Sequence, residues 1–185
     1  MPQYNTLFLD RDGVVNKQIL DGYVLDYDQQ FVFQPYTIEA LQLLRPLFDH
    51  LILVTNQQCV GKGLCTNVDI LRVHERMQAQ LHKQHCAFDA IYYCPHLASE
   101  QCNCRKPRIG MALQAQRDYP DIEFQNSLMG GDSLSDIQFA HNAGIHPVHI
   151  GVFHPSQQIE IEKLTPHHFH TLFDFAKFLT AKAQK

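Results

Sequence analysis

The chain is expected to be an α/β protein, a single domain built on a Rossmann-like parallel sheet with helices on both faces. Two observations predict this. Short continuous apolar runs of strand length alternate with segments whose apolar residues repeat at helical spacing. Polar clusters follow directly on the strand-like runs, as they do where open parallel sheets gather ligands at the carboxyl ends of their strands.

The first run, Thr6 to Leu9, has the residue types of a buried strand, and Gly13 follows as a chain-turning residue. Ile38 to Leu47 then reads as a helix and Leu51 to Val54 as the second strand. The clearest helix begins after Thr66, which can cap it, with Asp69 in the first turn and Ile70, Val73, Met77 and Leu81 at helical spacing. Ala90 to Tyr93 gives a strand, Met111 to Ala115 a helix, Leu128 to Met129 a strand, Ile137 to Ala143 a helix and Pro147 to Ile150 a strand. Phe169, Leu172, Phe173, Ala176 and Leu179 suggest a terminal helix docked on the core. Asn16 to Phe33 and Phe153 to His168 read as the flexible stretches, and neither resembles an interdomain linker.

At 185 residues one domain spanning 1–185 can bury its core without covalent staples. The 19 acidic and 15 basic residues, with no basic tract, argue against nucleic acid as a partner. No signal-like segment or membrane-length apolar run is present, so a cytoplasmic protein without membrane attachment is expected, as a monomer. Of six cysteines, Cys94, Cys102 and Cys104 cluster, whereas Cys59, Cys65 and Cys86 are scattered. The cluster reads as metal ligands, not as part of a disulfide framework.

Four polar clusters end successive apolar runs: Asp10 and Asp12, Thr55 and Asn56, Arg105 and Lys106, and Asp132 with Asp136. If each run is a parallel strand, all four reach one sheet edge and can surround one small ligand. Alternation along an extended strand lets Asp10 and Asp12 converge while Arg11 faces elsewhere. Taken singly, an acidic pair before a glycine is as well explained by a solvated turn.

The four together supply what phosphoryl transfer needs: a nucleophile, a general acid, a divalent cation and fixed positive charge. Asp10 can attack phosphorus, and Asp12 can protonate the leaving oxygen and later activate water. Asp10, Asp12 and Asp132 form an all-oxygen site suited to Mg2+. Thr55, Asn56 and Lys106 can hold phosphate oxygens. Asp136 either caps the following helix or contacts the metal.

FLDRDGVVN, LVTNQ, CRKP and GGDSLSD, in this order, resemble the four motifs of the haloacid dehalogenase (HAD) superfamily of phosphatases. The resemblance spans Leu7 to about Gly144. It implies Asp10 as nucleophile, Asp12 as acid/base, Lys106 as phosphate anchor and Asp132 as metal ligand. No large insertion follows the first or third motif, so no separate cap domain is expected.

Cys94, His96, Cys102 and Cys104, in a loop spanning 94–104, offer three thiolates and an imidazole to a tetrahedral zinc ion. With no open position, the site would be structural, stiffening the loop and fixing Arg105 and Lys106 behind it. This loop is similar to that of the superfamily's zinc-containing branch, which includes heptose-1,7-bisphosphate 7-phosphatases and histidinol-phosphate phosphatases. DGYV (Asp21 to Val24), TNQQCVGKG and IYYCPH look like the heptose enzymes. The short spacing from His96 to Cys102 looks like the histidinol-phosphate enzymes. The heptose resemblance implies a contact between Arg105 and the substrate's second phosphate or hydroxyls.

The function expected is Mg2+-dependent hydrolysis of a small sugar phosphate through an aspartyl-phosphate. The 7-phosphate of D-glycero-D-manno-heptose 1,7-bisphosphate is favoured over histidinol phosphate, and a zinc-stabilised non-catalytic binding protein is the alternative of another class. Cys59 reads as a spectator thiol, and His167, His168 and His170 as loop and helix surface.

Overall fold

The structure is a computed structural model, describing residues 4–20 and 22–183. Asp21, the first residue of the DGYV segment, lies outside the described residues.

Six strands form one parallel sheet: β1 (Thr6–Leu9), β2 (His50–Asn56), β3 (Ala90–Cys94), β4 (Ser127–Gly131), β5 (His146–Ile150) and β6 (His168–Phe169). Their order is β3-β2-β1-β4-β5-β6, so the chain winds outward from β1 in one direction and returns to build the other half from β4. The reversal lies between β1 and β4, the place where a doubly wound sheet opens a crevice at its carboxyl edge.

Alternation along β1 assigns its two faces. Leu7 and Leu9 join a core with α2 (Thr37–Leu44), α3 (Asn67–Lys83) and α7 (Leu172–Ala183); Phe8 joins a second core with α4 (Gly110–Asp118) and α5 (Leu134–Ala143). Apolar surface is therefore buried on both faces, which is why the strands read as continuous apolar runs and not as alternating ones. Two further helices are α1 (Tyr27–Gln30) and α6 (Gln158–Leu164).

Helix α3 starts as its sequence dictates. Thr66 Oγ1 accepts from Asp69 N at 3.3 Å, while Asp69 Oδ2 accepts from Thr66 N at 2.8 Å, a reciprocal capping box.

Two expectations are corrected. The stretches Asn16 to Phe33 and Phe153 to His168 are not all flexible loop, because they contain the helices α1 and α6. His168 and Phe169 are not helix surface: they form β6, paired to His149 and Ile150, and the terminal helix begins only at Leu172. A two-residue edge strand has no pattern of its own; its existence depends on the open edge of β5. Among the described residues no helix is long and apolar enough to cross a membrane, and no cap domain stands over the carboxyl edge of the sheet.

Candidate active site

All four polar clusters reach the same sheet edge. Asp10 follows β1, Thr55 and Asn56 end β2, Arg105 and Lys106 follow the loop after β3, and Asp132 follows β4. They line a cavity of about 210 Å³ that also touches Gln18, Tyr23 and Ser133.

At its base Lys106 is buried, its Nζ 2.7 Å from Asp10 Oδ1, 2.5 Å from Asp136 Oδ1, and donating to Val54 O at 2.8 Å. Removing these charges from water costs less when they neutralise one another at such distances. Burial opposes the ammonium, yet Asp10 and Asp136 together hold Lys106 above the usual lysine range. Burial pushes Asp10 up to about 7, against the pull of Lys106 and with added repulsion from Asp136 and Asp12. Burial and the neighbouring Asp10 and Asp136 likewise raise Asp132 well above the carboxylate range. Oxygens of Asp10, Asp132 and Asp136 all lie within 4.8 Å of one another. Three carboxylates so close, two of them driven toward protonation, suit a hard divalent cation.

Backbone geometry makes room for this cluster. Gly13 has φ +94°, and a Cβ there would stand 1.9 Å from Asp132 Oδ2. At Gly131 a Cβ would meet Asp136 Cβ at 2.2 Å. Glycine at both positions lets strand ends and carboxylates pack against each other.

Asp12 is held apart from this cluster. Arg11 Nη2 donates to Asp12 Oδ1 and Oδ2 at 3.0 and 2.9 Å, Asn16 Nδ2 to Oδ1 at 2.9 Å, and Gln57 Nε2 to Oδ2 at 2.7 Å. Burial pushes this carboxyl up, but the Arg11 charge and the three donors outweigh it, leaving Asp12 below its ordinary range. The expectation that Arg11 faces elsewhere is therefore corrected. Its side chain is completely buried, and the guanidinium bends back onto Asp12. Arg11 Nη1 also lies 3.1 Å from His74 Nε2. Since guanidinium only donates, His74 Nε2 accepts there, and burial together with Arg11 pushes His74 down to about 3.

Asn16, Gln57 and His74 escape a reading of the sequence because none follows the alternation of β1. The available signals are Asn16 closing the FLDRDGVVN turn and Gln57 extending TN.

Thr55 Oγ1 accepts from Gln57 Nε2 at 3.0 Å. The amide of Asn56 is already engaged: it donates to Lys106 O at 3.2 Å and accepts from Lys106 N at 3.0 Å, tying the end of β2 to the lysine segment. Arg105 lines the cavity with a buried Nη1 that has no partner among the described residues. Asp136 Oδ2 accepts from the backbone N and hydroxyl of Ser133 at 3.1 and 2.6 Å, so this residue both starts α5 and holds Lys106.

Around the rim, Gln58 Nε2 donates to Tyr23 Oη at 2.9 Å, and Lys62 Nζ sits 5.2 Å from the Tyr23 ring centre. Gly61 N donates to Pro95 O at 2.9 Å, linking that turn to the cysteine loop. In the loop, Cys94, His96, Cys102 and Cys104 bring ligand atoms within 4.8 Å of one another. His96 Nδ1 is 3.2 Å from Cys104 Sγ, and Cys94 Sγ is 3.4 Å from Cys102 Sγ. Cys59 lies away from these ligands; burial and Cys65 push its thiol up to about 12, so it remains an unreactive SH.

Acidic, basic and hydroxyl groups converging at the switch point of a doubly wound sheet define an α/β protein with a site suited to a phosphate and a divalent cation. A family model described as HAD-hydrolase-like matches residues 103–173. A D-glycero-alpha-D-manno-heptose-1,7-bisphosphate 7-phosphatase from Mycobacterium bovis is 45% identical over 136 residues, covering 74% of this chain and 71% of the relative. The histidine biosynthesis bifunctional protein HisB of Blochmanniella floridana is 36% identical over 142 residues, 77% of this chain but 40% of that larger protein. The crystal structure of D,D-heptose 1,7-bisphosphate phosphatase from B. bronchiseptica, complexed with magnesium and phosphate, superposes with a TM-score of 0.85 at 29% identity, covering 96% of this chain and 99% of that one. The chain belongs to the HAD superfamily of phosphatases, in the branch of heptose-1,7-bisphosphate 7-phosphatases and their histidine-biosynthesis relatives.

Proposed function

We propose that this chain is a Mg2+-dependent phosphatase that removes the 7-phosphate of D-glycero-D-manno-heptose 1,7-bisphosphate. The observation that carries the reading is Asp10 at the switch point, 2.7 Å from the buried Lys106 and grouped with Asp132. A carboxylate so placed has a cationic anchor for the incoming phosphate beside it and a metal position next to it. Names of relatives support the sugar substrate, and the magnesium and phosphate of the B. bronchiseptica structure support the cofactor.

Asp10 and Asp132, with the turn that carries Asp12, would hold Mg2+, which would supply charge neutralisation between carboxylate and phosphate. With its carboxylate engaged by three side chains, Asp12 contributes from the turn it shares with Asp10. Lys106 and Thr55 bind phosphate oxygens, and Asn56 acts by holding the Lys106 backbone. An Asp10 oxygen attacks phosphorus, the sugar oxygen leaves with a proton from Asp12, and an aspartyl-phosphate remains on Asp10. Asp12 then takes a proton from water as the water oxygen attacks that phosphorus, releasing phosphate and restoring Asp10. The negative phosphate beside Asp12 in both halves raises its proton affinity, which suits it to deliver a proton in the first and to take one in the second.

Arg105, with a buried unpartnered Nη1 on the cavity, is the group for the substrate's second phosphate. Cys94, His96, Cys102 and Cys104 would bind one structural Zn2+ through three Sγ atoms and His96 Nδ1. A cytoplasmic monomer with no nucleic-acid or membrane partner completes the proposal.

The test is steady-state phosphate release with Mg2+ from both anomers of heptose 1,7-bisphosphate and from histidinol phosphate. Higher kcat/KM on a heptose anomer supports the reading. A preference for histidinol phosphate overturns it.

A further inference from the structure

We infer that His149 is a positioning residue for Asp132, holding the metal-site loop from the neighbouring strand. On β5, His149 stands in register with Gly131, the last residue of β4. Its side chain is fully buried, and its Nε2 lies 3.1 Å from the backbone O of Asp132.

Only two residues, Asp132 and Ser133, separate β4 from α5; Ser133 O already accepts from Ile137 N of the helix, whereas the Asp132 carbonyl belongs to neither ladder. A carbonyl there needs a partner brought from elsewhere. His149 supplies it. The carbonyl can only accept, so His149 Nε2 carries a proton. In the neutral ring Nδ1 then accepts, and His168 Nδ1, 2.8 Å away on β6, must donate. The tautomers of both rings follow from this one carbonyl.

The imidazole cannot rotate out of this role. Phe153 stacks on it with ring centres 4.3 Å apart and planes 7° from parallel, and also stacks on His168 at 4.2 Å. The Gly13 backbone approaches the Asp132 side chain closely, since a Cβ there would strike its Oδ2. Close contacts thus aim the carboxylate, and His149 holds the peptide that carries it. Losing a partner that orients a ligating group typically costs roughly 10–100-fold in metal affinity or activity, and His149, which touches only the peptide of Asp132, should act through affinity.

This inference rests on Asp132 as a Mg2+ ligand, and Mg2+ binding to the protein, followed by calorimetry without substrate, tests both. His149→Phe keeps the ring and its stack but removes the donor; His149→Gln returns an N–H to the position of Nε2. Mg2+ should bind His149→Phe roughly tenfold more weakly, with kcat at saturating Mg2+ changed less than about threefold, and His149→Gln should recover most of the affinity. If His149→Phe does not fold, His168→Phe, at the half-buried end of the chain of hydrogen bonds, should weaken Mg2+ in the same direction. Unchanged Mg2+ affinity in the folded variants, or a Gln variant as impaired as Phe, overturns the inference. Should Asp132→Asn also leave Mg2+ affinity unchanged, the fault lies with the assignment of Asp132 and not with His149.

Discussion

Asp10 and Asp12, two residues apart, have opposite electrostatic surroundings. Asp10 sits against Lys106 among other carboxylates and is raised to about 7 by burial, while Asp12 is gripped by Arg11, Asn16 and Gln57 and lies below its usual range. In the metal-free fold these directions would protonate Asp10 and ionise Asp12; the attacking role of Asp10 rests on its place beside Lys106 and the metal position, where a bound cation favours the carboxylate. Asp10→Asn should abolish phosphate release, and Asp12→Asn should lower kcat by roughly 10²–10⁴-fold, measured by steady-state kinetics. Retained turnover in Asp10→Asn would sink the nucleophile assignment. Arg11→Met removes the buried partner of Asp12, and urea unfolding should show a loss on the order of 3–5 kcal/mol together with reduced kcat. The aspartates were legible because strand alternation and the following glycine expose them. Arg11 was not, since alternation describes Cβ directions and a long side chain can bend back along the strand end.

Among the elements, legibility followed length. Helix α3 has seventeen residues and a capping box whose two members are visible as Thr66 and Asp69. Strand β6 has two residues and exists only because β5 offers it an edge. The junction of β4 and α5 is the sharpest constraint on the site, since Gly131 lets Asp136 start its helix while reaching Lys106. Gly131→Ala forces a contact of 2.2 Å with Asp136 Cβ and should lower both melting temperature and kcat. The cysteine loop acts differently. Because Arg105 and Lys106 follow its last ligand, Cys102→Ala should empty the zinc position, lower the melting temperature and raise KM, read by metal analysis beside kinetics. Full zinc content in that variant would contradict the ligand set.

At the scale of the molecule, the site's buried charges make Mg2+ binding depend on pH. Asp10, raised from 3.8 to about 7, and Asp132, also raised, keep protons in the metal-free fold that the unfolded chain has released. Their contribution to the stability of the metal-free protein therefore falls as pH rises toward 7. His74, lowered to about 3, and His149 and His168, also lowered by burial, act oppositely: the unfolded chain takes up those protons first, so their contribution grows with pH. The difference in melting temperature with and without Mg2+ largely cancels the histidines. It should be largest above the Asp10 value of about 7 and shrink as pH falls below it, where a proton occupies Asp10 and the raised Asp132 follows in the same direction. An increment independent of pH, measured by calorimetry, would rule these two carboxylates out as ligands.

The sequence by itself determined the fold class, the order of the strands along the chain, that Asp10, Lys106 and Asp132 come together, and that Cys94, His96, Cys102 and Cys104 form one group. Each of these is written in local pattern or short spacing, which survives without knowledge of neighbours. Tertiary structure decided the rest: that β1 and β4 flank the switch point, that Arg11 folds back onto Asp12, that Asn56 clamps the Lys106 backbone, and that His149 reaches the carbonyl of Asp132. Those contacts join residues through the bend of a long side chain or across strands far apart in the chain, and no periodicity in the sequence encodes them.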